Sequence, residues 1–184
     1  PRTPQRTALS LLKHLRIFDL SDMSRDQQVG VVIRQKAEQI IGEKIPSLPA
    51  GVKIALSRRA CGGVVRTMLE SSTDQRVVSA CLDSPLLTEG HLLKIINGTR
   101  AGGRVIRGIA EHPKWSLRYH IRYALIRNFH TSMVRVERFI GSMKTADLKD
   151  LYNDPKLPAA ARPFIFSELS ARGATVERQE ETTF

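Results

Sequence analysis

The chain has 184 residues, 41% hydrophobic and 26% charged, the balance of an ordinary folded domain and not of a disordered chain. No apolar run approaches the ~20 residues that span a bilayer, and the first apolar block, Ala8 to Leu15, carries Lys13 and His14, unlike a signal peptide. Lysine and arginine outnumber the acids 29 to 18, a net charge of +11 that points to an anionic partner class. Residues 101–150 hold 10 basic and 4 acidic side chains, and so carry more than half of the excess.

In chain order, Thr3 and Pro4 suit a helix cap and first helical position, with Ala8, Leu9, Leu12 and Leu15 on one face. Asp19 to Ser24 reads as a short helical link. Val29, Val32, Ile33, Ala37, Ile40 and Ile41 form an amphipathic stripe expected to end near Gly42. Ile45 to Gly51 is a turn. Val52 to Ala60 and Val64 to Leu69 are expected as short helices, with Gly62-Gly63 as the break between them. Ser71-Ser72-Thr73 is expected to cap a helix through Leu82, and Thr88 the one that carries Leu92, Ile95 and Ile96 to Asn97-Gly98. Ala101-Gly102-Gly103 leads into the densest stretch, 104–151. Three helices follow there with almost no connecting chain, carrying Val105/Ile106/Ile109, Leu117/Ile121/Ala124/Leu125 and Val136/Phe139/Ile140/Met143. A last helix holding Ile165 and Leu169 is expected to stop at Gly173, before a mobile tail over 173–184. No strand with a two-residue period appears.

The turns between these helices repeat. Ser84-Pro85, His112-Pro113, Asn128-Phe129 and Asp154-Pro155 each follow a helix end. Each leads through a spacer to Leu87, Trp115, Thr131 or Leu157 and then to a cap or proline: Thr88, Ser116 and Thr131 as caps, Pro158 as a first helical residue. Sliding the first segment by 128 residues lays it on the last without a gap. Thr3 then falls on Thr131, Asp19 on Asp147, Leu20 on Leu148, Asp22 on Asp150, Asp26 on Asp154 and Arg34 on Arg162. Short helices with one apolar stripe cannot bury it alone, so stacking is implied. The expected fold is all-α, a right-handed α-solenoid of short helix pairs over residues 1–172.

The sequence offers little for catalysis. There is no HExxH, GxSxG, phosphate loop or CxxC, and the five histidines are scattered, so no metal or cofactor is expected. Cys61 and Cys81 lack metal-ligand spacing. Cys81 shares a face with Val77, Val78 and Leu82, so a buried free thiol in a reducing cytoplasm is expected. The sharpest surface feature is Arg104, Arg107, Lys114, Arg118, Arg122 and Arg127, with Glu111 the one acid among them. Arg118/Arg122 and Tyr119/Tyr123 are each four apart and are expected to form adjoining helical ridges. The tyrosines and Trp115 can stack on bases, although Trp115 occupies the slot of Leu87 and Leu157 and is expected in the core. Asp19/Arg34 and Asp147/Arg162 are expected to be structural, holding turns against helices in equivalent places.

The unit of helix, Ser/Asn/His-Pro turn and helix, with Arg76, Arg104 or Arg122 in a helix, resembles the HEAT-like bacterial repeat proteins and the leucine-rich repeat variant. That resemblance implies a scaffold or adaptor. A basic HEAT-like solenoid also resembles the alkylpurine DNA glycosylases, whose carboxylate-and-aromatic base site has no clear counterpart here. The leading expectation is therefore a non-enzymatic scaffold for an acidic protein partner, with nucleic acid the alternative on the 104–127 surface and no membrane involvement.

Overall fold

The computed structural model describes residues 5–175. Among these the fold is all-α: 12 α-helices, three short 3-10 turns and no strand. The helices are α1 Gln5–Leu11, α2 Ile17–Arg25, α3 Val31–Lys44, α4 Ala50–Ser57, α5 Gly62–Ser71 and α6 Gln75–Leu82, then α7 Glu89–Asn97, α8 Gly103–Glu111, α9 Tyr119–Ile126, α10 Met133–Ile140, α11 Thr145–Asn153 and α12 Arg162–Ala171. They group into two compact units, Pro1–Gly108 and Ile109–Phe184, divided within α8. The cap at Thr3-Pro4 lies outside the described residues, as does the tail from 176 onward.

One turn recurs between helices, and its chemistry is local. The side chains of Asp26, Ser84, Asn128 and Asp154 each accept the N–H two residues on, at 2.8, 3.4, 3.0 and 2.8 Å. Their carbonyls accept the N–H three residues on, from Val29, Leu87, Thr131 and Leu157, at 3.0–3.2 Å. A short polar side chain thus closes the loop that a backbone turn would otherwise leave open. His112 makes a wider version, with Nδ1 taking the Lys114 N–H at 3.2 Å and its carbonyl taking that of Ser116 at 3.0 Å. The turn delivers the third residue inward: Leu87, Trp115, Thr131 and Leu157 are all at most 5% exposed.

The 128-residue offset is reproduced in the elements. α2 and α11 are both nine residues long and begin at Ile17 and Thr145; their C-caps are Asp26 and Asp154. Within the first unit α3 packs on α1 and α2, and within the second α12 packs on α10 and α11. Leu20 and Leu148, Ile41 and Leu169, and Ala37 and Ile165 are all fully buried pairs under this offset. The copies differ where proline intervenes. α3 is continuous for 14 residues, whereas Ala159–Ala161 forms a 3-10 turn ahead of α12, which carries Pro163 in its first turn. Gly173 (φ 70°) then closes α12, with the Ala174 N–H on the Leu169 carbonyl at 2.9 Å and that of Gly173 on Ser170 at 3.0 Å.

Several expected boundaries move, each for an identifiable reason. α2 is a full helix instead of a short link, and α3 runs past Gly42 to Lys44. Asp74, not the Ser71-Ser72-Thr73 run, caps α6, because its carboxylate both takes the Arg76 N–H at 2.9 Å and pairs with the Arg76 guanidinium at 2.9 Å. That guanidinium holds the Asp74 carboxyl below its ordinary pKa. Thr131 is drawn into the buried slot and Ser132 takes the N-cap position of α10. Pro158 stands at the N-cap, one place before the first helical residue. Thr88 does cap α7, in a reciprocal box with His91.

Gly62 and Gly63 are the first two residues of α5 and not a break. A Cβ on Gly62 would sit 2.3 Å from His91 Cε1 and 2.6 Å from the Leu86 carbonyl oxygen. Cys61 and Cys81 are free; burial pushes the Cys81 thiol up to about 12. Gly62→Ala is expected to destabilise the chain by about 1–3 kcal/mol, because one of its contacts is backbone and cannot give way. Gly51→Ala, with nothing within 4 Å of its Cβ, is expected to be neutral or to stabilise by up to ~1 kcal/mol. Urea unfolding of the two variants against the parent checks the contrast.

Candidate functional site

The second unit carries a surface cavity of about 500 Å³, lined by Tyr119, His120, Tyr123, Lys144 and Asp147. Two helices supply it. α9 sets Tyr119 and Tyr123 four residues apart on one ridge, while Ile121, Ala124, Leu125 and Ile126 fill the core. α11 contributes Asp147 from its first turn and Lys144 as its N-cap.

The Tyr119 hydroxyl is the joint between them. It accepts the backbone N–H of Lys144 at 3.0 Å and donates to Asp147 Oδ2. Lys144 itself has no side chain able to accept, so α11 begins without a side-chain cap. In a capping box the third helical residue reaches back to the N-cap N–H directly. Here a phenol from another helix is inserted between those two groups. Asp147 also suits its place because a carboxylate in the first turn faces the positive end of the helix dipole.

Both phenols are shifted further from ionisation. Burial, then the Asp147 carboxylate, raises the Tyr119 pKa above its ordinary value, against a smaller lowering by the Lys144 N–H. Burial raises that of Tyr123 as well, with Arg127 opposing and Asp150, Asp154 and Asp147 adding. A tyrosine held protonated this way donates hydrogen bonds and offers an aromatic face, but it is a poor general base near neutral pH. The Lys144 ammonium lies 5.8 Å from the Tyr119 ring centroid, and His120 meets that ring edge-on at 5.9 Å. The cavity therefore combines aromatic rings and phenol hydroxyls with one lysine and one aspartate.

The six basic residues singled out in the sequence are divided between the two units and differ in their partners. Arg104 and Arg107 belong to the first unit and the other four to the second. Arg104 donates to the Thr73 carbonyl. Arg122 donates through Nε to the Ser116 carbonyl at 2.6 Å and through Nη1 to Ser142 Oγ at 2.9 Å, with its guanidinium over Phe139. Arg127 forms a 2.6 Å ion pair with Asp154. Lys114 lies 4.2 Å from the centroid of the buried Trp115 ring. Arg107 and Arg118 are exposed and have no ion pair among the described residues. Arg118 is the N-cap of α9 and lies outside the helix proper, so the expected Arg118/Arg122 ridge is not a helical pair. The Arg122 bond to Ser116 goes with this, since 113–117 form a turn and Leu117 is 68% exposed.

Among the four residues read as structural, Arg162 donates to the carbonyls of Tyr152 at 2.8 Å and Asp154 at 3.2 Å, tying the end of α11 to the start of α12. Asp147 meets Tyr119, as described. Asp19 is exposed in the first turn of α2, and Arg34 is half-buried in the first turn of α3 with its Nε unpartnered among the described residues. His120 and Lys144 were not singled out by sequence. Their only signal was adjacency to Tyr119 and to the Asp147 helix start, and the meeting of α9 with α11 is invisible to periodicity.

Tyr119→Phe removes both hydrogen bonds of the joint and is expected to cost about 1–2 kcal/mol in stability. Two of the chain's tyrosines are expected to ionise late in absorbance titration. The unfolded chain releases these protons near pH 10 while the folded chain retains them, so this contribution to stability falls as pH rises above 10. Ordinary titration of every tyrosine in the folded protein contradicts the geometry.

Compared with protein-family models, curated proteins and solved structures, the chain matches none.

Proposed function

We propose that the chain is a non-enzymatic helical-repeat scaffold that binds an acidic protein partner, its short helix pairs stacked as a right-handed HEAT-like solenoid. The observation that carries this reading is the Tyr119–Tyr123 cavity. It places two phenol rings on one helical ridge beside a lysine and an aspartate. Tyrosine rings supply large contact area at low entropic cost, which is why they anchor protein interfaces. Arg118 flanks the cavity in sequence without a counter-ion among the described residues, and Lys144 lines it. Charge of that sign at a rim favours encounter with an acidic surface. The recurring polar turns support the repeat reading, since each joins consecutive short helices in the same way.

A nucleic-acid-binding module is the second reading, favoured by the net charge of +11 and by rings on which bases stack. Against it, Arg104, Arg122 and Arg127 are engaged in bonds within the fold.

The two readings separate in a pull-down from lysate with and without nuclease, using the parent chain and Tyr123→Ala. The scaffold reading expects capture of an acidic protein that survives nuclease and is lost with Tyr123→Ala. Nuclease-sensitive capture favours the alternative. So does duplex binding at low salt whose log affinity falls with log salt by roughly 0.9 per phosphate contacted.

A further inference from the structure

The first unit holds a second cavity, of about 240 Å³, that no part of the preceding site uses. α5 contributes Arg66 and Glu70, α7 contributes Lys94, and the loop after α7 contributes Gly98, Thr99 and Arg100. This unit is the more basic of the two, with 17 lysines and arginines against 9 acids.

Its charges are unequally satisfied. Glu70 is paired with Arg66 at 3.0 Å and its side chain is 12% exposed, so the one acid in the cavity is already neutralised. Lys94 and Arg100 are exposed and have no ion pair among the described residues. The four ionised side chains therefore sum to +2. The backbone adds donors: the N–H groups of Thr99, Arg100 and Ala101 make no hydrogen bond among the described residues, and all three residues line the cavity. The field also reaches His91, whose pKa is lowered first by burial and then by the Arg66 and Lys94 charges.

We propose that this cavity is an oxyanion site that takes a phosphate monoester. A monoester carries about −1.5 to −2 charge and three acceptor oxygens near neutral pH, which the +2 of the cavity and its lysine, arginine, hydroxyl and amide donors complement. A phosphodiester carries about half that charge and must both enter and leave the cavity. Arginine supplies the forked donor that phosphate oxygens accept, and lysine the point charge. The site rests on the first unit alone and stands or falls separately from the tyrosine cavity.

The test is a titration of the isotope-labelled full chain followed by amide chemical shifts. The probes are inorganic phosphate, a phosphoserine peptide, the same peptide unphosphorylated, and an oligonucleotide without terminal phosphate. Saturable shifts at Thr99, Arg100 and Ala101 are expected with the two monoester-type probes and not with the other two. The phosphopeptide binding more tightly than phosphate identifies a protein-borne source, and equal affinity identifies a free one. Lys94→Gln and Arg100→Gln are each expected to weaken binding about tenfold with unchanged thermal unfolding, since both side chains are exposed. The absence of saturable shifts overturns the proposal. So does binding indifferent to both substitutions, or an oligonucleotide that saturates the same amides as tightly.

Discussion

The fold depends on a short polar side chain that accepts the N–H two residues after itself. At Asp26, Ser84, Asn128 and Asp154 this bond lets the chain reverse within a few residues, and after the last three the turn carries Leu87, Thr131 and Leu157 inward. Helices of eight or nine residues are too short to persist alone in water. They are held by packing, and packing needs each helix to arrive beside its neighbour with the apolar stripe facing in. The turn sets that arrival. Asp154 serves twice, since its other carboxylate oxygen pairs with Arg127 and so anchors the end of α9 to the end of α11.

The same economy shapes the tyrosine cavity. α11 begins on Lys144, which cannot cap it, and the Tyr119 hydroxyl supplies the missing connection between the free N–H and Asp147. The group that fixes the helix start is thereby also fixed itself, its ring oriented and its proton retained. A recognition surface gains from such rigidity because little freedom remains to be lost on binding. The nearby arginines follow the opposite course: Arg122 and Arg127 look like surface charge in the sequence but are spent on carbonyl, hydroxyl and carboxylate partners.

Much of the architecture was legible because its causes are local. The apolar periods located most of the helices, and the polar residue after a helix end located the turns at Ser84, His112, Asn128 and Asp154 but not the one at Asp26, since these signals depend on residues a few positions apart. The offset of 128 residues survived because Leu20 and Leu148 or Ile41 and Leu169 must each fill a core position. What sequence missed depends on residues brought together from far along the chain. Gly62 reads as a helix breaker until the His91 ring and Leu86 carbonyl are seen where its side chain would be. Ser116 reads as a cap until Arg122 is seen to bind its carbonyl. The Tyr119/Tyr123 ridge was visible, but Asp147 as its partner was not, because that acid had an adequate local explanation as a turn-holding residue.

The account's central claim, that the polar turn organises the packing, is tested most directly by native-state hydrogen exchange at the turn amides. The two amides bonded in each turn are Gln28 and Val29, Leu86 and Leu87, His130 and Thr131, and Lys156 and Leu157. They are predicted to exchange slowly, with protection approaching that of the adjoining helices, although they lie outside any helix. In an Asp154→Ala chain, protection is predicted to fall at Lys156 and Leu157 and to spread into α11 and α12. Turn amides that exchange at the rate of free loops, while the helices stay protected with or without Asp154, contradict it.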